Sequence, residues 1–283
     1  MHLARISYCA YENRNITFQG AAMKLSSDIT AIVTGGASGL GEATSRGLAA
    51  KGVKVGIFDM NQERGEAVAK EIGGVFAKVD VSDNDSVDAG FAACRKVNGQ
   101  ERIMVNCAGI AGGMKTASRS RDTGDIRAHD PATYIRTINI NLIGSFLCAS
   151  KSAAGMMSLD PTEPDGERGL IVNTASVAAQ DGQIGQVAYA ASKGGILSMA
   201  LPMARDLARE GIRVNTILPG FYETPIYEQM KPEVKENLKT QLQFPVRFGQ
   251  PSEYAQVVEF MCEHSYINAE YIRTDAGARM PPR

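Results

Sequence analysis

A glycine-rich turn between two differently patterned segments constrains the fold of this chain most strongly. Residues 29–34 form a short apolar run, residues 34–41 read TGGASGLG, and a helix-like segment continues to about Lys51. Glycines at such a turn let backbone N–H groups approach a pyrophosphate, and the N-terminus of the following helix adds positive potential. Because the spacing departs from GxGxxG, a turn that merely redirects the chain is the alternative.

The alternation of apolar and helical segments continues along the whole chain. Strand-like apolar runs recur, with amphipathic segments between them, at residues 53–58, 75–79, 103–105, 212–218 and 270–273. This alternation predicts a single α/β domain over residues 23–283, a doubly wound (Rossmann) parallel sheet of about seven strands with helices on both faces. Ligands of such sheets bind beyond the carboxyl ends of the strands.

An acidic residue closes the second apolar run. Asp59 follows Gly41 at close to the spacing, about 20 residues, at which a carboxylate binds an adenosine ribose. A carboxylate there accepts hydrogen bonds from both ribose hydroxyls and repels a 2′-phosphate, so it favours NAD over NADP. The alternative is a helix N-cap for the segment that starts at Asn61.

Residues 172–195 carry a serine, a tyrosine and a lysine that can meet at one point. Ser176 follows an apolar run, while Tyr189 and Lys193 are four residues apart and share one face of a helix. An ammonium beside a phenol lowers the phenol pKa from about 10, and such a tyrosine exchanges protons near neutral pH. The serine hydroxyl would hold the same substrate oxygen. An ordinary surface pair on a helix is the alternative.

Composition excludes several classes of function. With 30 basic and 31 acidic residues among 283, the formal net charge is −1, which favours neither a nucleic-acid partner nor an anionic membrane surface. No apolar run reaches the length of a membrane span. The five cysteines are scattered without a CxxC pair, which is typical of thiols in a reducing compartment. The three histidines are far apart, so no metal site is expected.

Four segments depart from the regular alternation. Residues 1–22 are polar and aperiodic, and we interpret them as an atypical N-terminal extension, either a tag or a leader. Residues 111–130 and 158–168 are polar loops, the first of them at the ligand-binding end of the sheet. Residues 221–248 hold several aromatic residues around a short charged helix, and we expect them to form a lid over the substrate.

One asparagine is placed unusually. Asn141 lies inside a long helix predicted from Pro131 to about Met157. Because asparagine is unfavourable in a helix interior, a specific partner is expected for its side chain. The alternative is a core asparagine satisfied by the backbone.

Taken jointly, these motifs resemble the short-chain dehydrogenase/reductase family over residues 25–283. TGGASGLG is similar to the family's TGxxxGxG, and NCAG at residues 106–109 is similar to its NNAG, with cysteine in place of one asparagine. The resemblance implies a catalytic tetrad of Asn141, Ser176, Tyr189 and Lys193. It implies NAD as cofactor, Asn141 as the holder of a helix bend, and Pro219-Gly220 beside the nicotinamide amide.

The resemblance also implies which residues contact the ligands. Cofactor contacts are expected from Gly35, Ser38, Gly39, Leu40, Gly41, Asp59, Asp80, Val81, Asn106, Ala108, Gly109, Tyr189, Lys193, Pro219, Gly220 and Thr224. Substrate contacts are expected from Gln183, against an acyl thioester carbonyl, and from Tyr222. For Gln183, an exposed turn glutamine is the alternative.

Within the family, the chain is similar to the group that oxidises 3-hydroxyacyl-CoA. This implies an acyl-CoA substrate, a homotetramer, and a location in the cytoplasm, or in the mitochondrial matrix of a eukaryote. The chain departs from that group mainly at residues 115–130 and 158–168. Alternatives are a related dehydrogenase of steroids, polyols or 3-oxoacyl carriers, and a non-catalytic dinucleotide-binding scaffold subunit.

Overall fold

The computed structural model of the chain describes residues 23–228 and 230–282. The predicted extension at residues 1–22 lies outside these described residues. The strands are β1 Thr30–Thr34, β2 Lys54–Asp59, β3 Val75–Lys78, β4 Ile103–Asn106, β5 Ala117–Arg119, β6 Ile126–Ala128, β7 Gly169–Thr174, β8 Ile212–Pro219 and β9 Tyr271–Thr274. The α-helices are α1 Gly39–Ala50, α2 Gln62–Ile72, α3 Asn84–Asn98, α4 Pro131–Ile138, α5 Gly144–Met156, α6 Val187–Leu207, α7 Pro225–Glu228, α8 Pro232–Lys239 and α9 Pro251–Glu263.

Seven of these strands form one parallel sheet in the order β3-β2-β1-β4-β7-β8-β9. Strands β2 and β3 therefore extend the sheet on one side of β1, and β4, β7, β8 and β9 extend it on the other side. The predicted doubly wound sheet is confirmed. In such an order the first strand lies beside the point where the winding reverses, and this is where ligands bind.

The main part of the core is formed by two apolar layers, one on each face of the sheet. Along β1, Ala31 and Val33 belong to the layer that contains Val258 of α9, whereas Ile32 belongs to the layer that contains Phe91 of α3. Side chains of a strand alternate between faces, and here both faces are covered by helices. This is why the apolar runs in the sequence are nearly continuous.

The loop predicted at residues 111–130 contains a short antiparallel hairpin. Strands β5 and β6 pair from Ala117 with Ala128 to Arg119 with Ile126, and every residue of both strands is exposed. Because neither strand buries a face, the alternation of apolar and polar residues that marks a half-buried strand is missing from the sequence. The sequence therefore indicated only a polar loop.

The long helix predicted from Pro131 is interrupted by a turn of π-helix at Asn139–Ile143, between α4 and α5. The Asn141 carbonyl accepts a hydrogen bond from the Ser145 hydroxyl at 2.7 Å. A π-turn replaces the usual hydrogen-bond spacing and is common at functional sites. Asn141 thus lies at a local change of helix type.

Candidate active site

The glycine-rich turn after β1 requires glycine at Gly35 and at Gly41 for different reasons. Gly35 adopts a left-handed conformation with φ of 66°, and its N–H donates to the Phe58 carbonyl at 2.7 Å. A β-carbon on Gly41 would lie 2.2 Å from the Gly35 carbonyl oxygen. The start of α1 is therefore packed directly against the turn. The first N–H groups of a helix have no partner within it, and α1 begins at Gly39.

Asp59 at the end of β2 is held by two backbone groups. Its Oδ2 accepts from the Ala37 N–H at 3.1 Å and its Oδ1 accepts from the Asn61 N–H at 2.9 Å. The N-cap of α2 is Asn61, whose side chain accepts from the Arg64 N–H at 3.2 Å. The alternative in which Asp59 caps this helix is therefore wrong. Its carboxylate is fixed beside the glycine turn.

A cavity of about 1230 Å³ lies beyond the carboxyl ends of the central strands. Most of the residues expected to contact a cofactor line it, namely Gly35, Ser38, Gly39, Leu40, Gly41, Asp59, Asp80, Val81, Ala108, Gly109, Tyr189, Lys193, Pro219, Gly220 and Thr224. Ser176, Gln183 and Tyr222 also line it. One continuous space thus joins the glycine turn to the serine, tyrosine and lysine.

Asn106 is the cofactor candidate whose side chain lies elsewhere. Its Nδ2 donates to the Ser145 carbonyl at 3.1 Å and to Asn173 Oδ1 at 2.9 Å, and it is 2% exposed. The side chain therefore ties β4 to β7 and α5 instead of lining the cavity. It follows Ile103, Met104 and Val105 in a fully buried strand, which explains why its amide is turned inward.

Ser176, Tyr189 and Lys193 reach the cavity from two elements. Ser176 lies just beyond β7, where its Oγ accepts from the Ala178 N–H at 3.1 Å. Tyr189 and Lys193 are on α6, and Lys193 Nζ lies 5.8 Å from the centre of the Tyr189 ring. The lysine Nζ donates to the Thr174 carbonyl at 2.7 Å. The strand and the helix therefore converge as the spacing of the three residues suggested.

The acidities of these groups are set mainly by burial. Burial raises the pKa of the Tyr189 hydroxyl above its ordinary value of 10, and an interaction with Ser176 opposes that rise. Burial lowers the pKa of Lys193 from 10.5 to about 8, opposed by the nearby Cys107. For Tyr189, burial therefore outweighs the lowering of the pKa that was expected from Lys193.

Asn141 does not line the cavity but supports the residues that do. Its Oδ1 accepts from the Ile110 N–H at 2.8 Å, and its Nδ2 donates to the Ile110 carbonyl at 3.0 Å and to Ser192 Oγ at 3.1 Å. A β-carbon on Gly109 would lie 3.1 Å from Asn141 Oδ1 and 3.6 Å from Lys193 Nζ. Asn141 therefore joins the segment after β4 to α6 beside Lys193.

The two predicted substrate residues differ in their surroundings. Gln183 lines the cavity, and its Nε2 donates one hydrogen bond to the Pro281 carbonyl at 3.0 Å, which leaves the second hydrogen of the amide. Tyr222 borders the cavity but is only 5% exposed, with its ring edge-on to Tyr254 at 6.3 Å. Tyr222 is therefore mainly a core residue.

Several further residues line the cavity that the sequence did not single out as ligand contacts. They come from α4, from α8 and from the chain after β9: Ile135, Arg136, Val234, Leu238 and Met280. Residues 221–248, the predicted lid, also contribute Tyr227 and Met230. The apolar composition of 221–248 was the signal for this part. No local pattern indicates that Met280 returns to the cavity.

The residues around the glycine turn fit a nicotinamide dinucleotide. The cradle next to Gly41 admits no side chain, the N-terminus of α1 offers N–H groups to a pyrophosphate, and Asp59 offers a carboxylate to a hydroxyl. Among residues 23–228 and 230–282, no group of three or more His, Cys, Asp or Glu side chains is arranged to hold a metal ion. Within the same residues, no helix is long and apolar enough to cross a membrane.

The sequence matches the short chain dehydrogenase family over residues 29–235. The chain therefore belongs to this family, and it is an oxidoreductase that uses a nicotinamide dinucleotide. It is 42% identical over 264 residues to the 3-hydroxyacyl-CoA dehydrogenase type-2 of Rattus norvegicus, covering 93% of this chain and 99% of the relative.

The chain is also similar to two further proteins that carry the same name as this relative. The 3-hydroxyacyl-CoA dehydrogenase type-2 of Drosophila melanogaster is 44% identical over 253 residues, which is 89% of this chain and 97% of that protein. The crystal structure of 3-hydroxyacyl-CoA dehydrogenase type-2 from Mycobacterium avium superposes with a TM-score of 0.83 at 39% identity, covering 90% of this chain and 98% of the other. The expected family and fold are confirmed.

Proposed function

We propose that this protein is an NAD-dependent dehydrogenase that interconverts 3-hydroxyacyl-CoA and 3-oxoacyl-CoA. The observation that carries the proposal is one cavity that joins the glycine turn and Asp59 to Ser176, Tyr189 and Lys193. The names of the relatives described above support the acyl-CoA substrate. The alternative substrates and the scaffold role suggested by the sequence are not favoured by these similarities.

In the proposed mechanism, Tyr189 exchanges a proton with the substrate oxygen. Because burial raises its pKa, the Tyr189 hydroxyl carries its proton at neutral pH and is ready to donate it when a ketone is reduced. Oxidation needs the same hydroxyl without its proton, a state that the charged Lys193 favours. Ser176 holds the substrate oxygen by a hydrogen bond. The nicotinamide, when bound, accepts or supplies the hydride.

Asn141 has a positioning role in this proposal. Its side chain bonds both groups of the Ile110 backbone and the Ser192 hydroxyl. Since Ser192 directly precedes Lys193 on α6, these bonds fix the distance between the segment after β4 and the lysine. The Lys193 amine, bonded to the Thr174 carbonyl, is held in turn against β7.

The preference for NAD over NADP is proposed from Asp59. Its carboxylate is immobilised by the N–H groups of Ala37 and Asn61, so it cannot turn away from a phosphate group. A fixed negative charge next to an adenosine 2′-phosphate is repulsive, whereas the same oxygens accept hydrogen bonds from ribose hydroxyls.

The proposed acyl site is the apolar part of the cavity beyond Tyr189. Tyr227, Met230 and Leu238 from residues 221–248 line it, which is the basis for proposing this segment as a lid. Gln183 supplies an amide at its polar edge for the thioester carbonyl. Pockets of this composition bury an apolar group and orient it through few polar contacts.

We further propose that the protein is a homotetramer of a reducing compartment, the cytoplasm or, in a eukaryote, the mitochondrial matrix. Phe146 on α5 and Leu201 on α6 are 49% and 44% exposed, and large exposed apolar side chains favour association. Burial raises the pKa of the free thiols of Cys94 and Cys148 to about 12, which makes them unreactive. Sedimentation velocity tests the tetramer.

The substrate proposal is tested by following NADH absorbance with a panel of compounds. The panel contains acetoacetyl-CoA and longer 3-oxoacyl-CoA thioesters, a keto-steroid, a ketose, and an acetoacetyl group on acyl carrier protein. We expect the highest kcat/KM with a 3-oxoacyl-CoA. A higher kcat/KM with any other member of the panel would contradict the proposed substrate class.

A further inference from the structure

We propose that Arg273 is a positioning residue for substrate binding. It ties the loop that carries Gln183 to the C-terminal segment 276–282, and so fixes both Gln183 and Met280 at the substrate end of the cavity. This inference rests on the proposed function, because it concerns the same cavity and the same reaction.

The guanidinium of Arg273 joins three parts of the chain. Its Nη1 donates to Gln180 Oε1 at 2.6 Å and its Nη2 donates to Asp181 Oδ2 at 2.7 Å, both on the loop after Ser176. Its Nε donates to Asp275 Oδ2 at 2.8 Å, just beyond β9, and Nη2 also donates to the Ala278 carbonyl at 3.1 Å. Every donor nitrogen of the side chain is therefore used.

Loop and C-terminal segment also meet directly beside this arginine. Gln183 Nε2 donates to the Pro281 carbonyl and the Ile184 N–H donates to the Pro282 carbonyl, each at 3.0 Å. Gln183 and Met280 line the cavity. The position of the Gln183 amide therefore depends on the position of residues 281–282, which in turn depends on the contacts of Arg273 with Asp275 and Ala278.

Charge and shape both favour arginine at this place. The side chains of Arg273, Asp181 and Asp275 are only 14%, 18% and 8% exposed, so their ionic hydrogen bonds are weakly screened. A guanidinium presents five N–H donors in a fixed plane, whereas a lysine ammonium is a compact charge on a flexible stem. A lysine at this position cannot reach Gln180, Asp181 and the Ala278 carbonyl together.

The location of Arg273 separates substrate binding from the binding of the adenosine and pyrophosphate part of the cofactor. Strand β9 lies at one edge of the sheet, with β8, β7 and β4 between it and β1. The glycine turn and Asp59 are on the far side of those strands, and none of the Arg273 contacts touches them. Loosening the loop and the C-terminal segment is therefore expected to affect the substrate and to leave the adenosine and pyrophosphate part of the dinucleotide in place.

The variant that tests this role is Arg273→Met, which keeps an unbranched stem and removes all the donors. We expect its KM for acetoacetyl-CoA to rise about tenfold or more, since the variant loses every ionic hydrogen bond through which Arg273 holds the two segments. We expect the dissociation constant of NADH, measured by fluorescence, to change less than about twofold. Arg273→Lys is expected to give an intermediate KM.

Arg279→Met is the matched control. Arg279 is 66% exposed and contacts Asp275 and the Ala278 carbonyl, but it does not touch the loop after Ser176. We expect a KM close to that of the wild type. Asp181→Asn, which removes the charge of the loop partner of Arg273, should also raise the KM. The variant that combines Asp181→Asn with Arg273→Met should have a KM no higher than that of Arg273→Met alone.

A second readout does not depend on turnover. In the NADH-bound protein, amide hydrogen exchange within residues 180–186 and 276–282 should be faster in Arg273→Met than in the wild type or in Arg279→Met. A purely structural role would instead lower the melting temperature and speed exchange over the whole chain, with KM unchanged. Unchanged exchange in these two segments, or an unchanged KM, would overturn the positioning role.

If the proposed function is wrong, the wild-type protein itself shows no turnover with any 3-oxoacyl-CoA. This outcome differs from a failure of the positioning role, which is seen only in the variants. When the wild type shows no turnover, the exchange measurement still decides whether Arg273 holds the two segments together.

Discussion

The contact between Gly41 and the glycine turn gives the sharpest prediction about cofactor binding. A β-carbon at residue 41 would lie 2.2 Å from the Gly35 carbonyl oxygen and 2.6 Å from its carbonyl carbon. Non-bonded carbon and oxygen atoms need a separation of roughly 3.2–3.5 Å, so Gly41→Ala must move the turn away from α1 by about 1 Å. Both atoms belong to the backbone and cannot rotate aside.

This displacement should weaken the binding of the dinucleotide far more than it weakens the fold. Overpacking of this kind costs about 1–3 kcal/mol of folding free energy. Each N–H bond to a phosphate oxygen that is lost costs roughly 1.5–3 kcal/mol, so the dissociation constant of NADH should rise about tenfold to a hundredfold. The assay is titration with NADH by fluorescence, with a thermal melt of the same sample.

Gly194→Ala is the matched control for this substitution. Gly194 lies in the middle of α6 with an ordinary helical φ, and its nearest neighbour for a β-carbon is the Ala179 carbonyl oxygen at 4.0 Å. Alanine there should stabilise the helix by about 0.5–1 kcal/mol and leave NADH binding unchanged. If Gly41→Ala bound NADH as tightly as Gly194→Ala, the glycine turn would not be the pyrophosphate site.

Two further predictions concern charged groups in the cavity. For Asp59→Ser, the ratio of NADP to NAD efficiency should rise at least about tenfold, because two unit charges about 4 Å apart repel by roughly 1 kcal/mol in water and more near a protein surface; an unchanged ratio argues against a ribose role. For Lys193→Met, the burial of the amine determines whether the variant is more or less stable than the wild type. The folded pKa of Lys193, about 8, lies below 10.5, so the buried charge destabilises the wild type below pH 8, and this cost disappears as the pH rises from about 8 to 10.5. Urea unfolding should therefore find the variant more stable at pH 7, by an amount that shrinks at pH 10; a difference independent of pH would show that Lys193 is not buried in its charged form.

The sheet could be predicted because its central strands are buried on both faces. All five residues of β1 and all four of β4 are buried, and both strands can therefore be recognised in the sequence as mainly apolar runs. The hairpin at Ala117–Arg119 and Ile126–Ala128 buries nothing and left no such mark. The only sign of the π-turn in the sequence was an asparagine, Asn141, at an unfavourable position inside a predicted helix. Its side-chain partners, Ile110 and Ser192, are distant in sequence and could not be inferred.

The site was predictable to the same extent. The spacing of Tyr189 and Lys193 places both on one helical face, but it does not reveal that the Thr174 carbonyl binds the amine or that burial dominates both pKa values. Likewise, NCAG indicates a turn after β4, but not that Asn106 faces inward to Asn173. Met280 reaches the cavity through contacts such as those of Arg273, which depend on the tertiary structure alone.

The proposed mechanism depends on the exchange of a proton between Tyr189 and the substrate oxygen. Its most direct test is a single-turnover measurement of NADH oxidation by acetoacetyl-CoA in Tyr189→Phe, with Tyr271→Phe, an exposed tyrosine on β9, as control. The loss of a general acid should slow this step by about 10²–10⁴-fold. NADH affinity should be retained, and Tyr271→Phe should match the wild type. A Tyr189→Phe variant that transfers hydride at the wild-type rate would contradict the account.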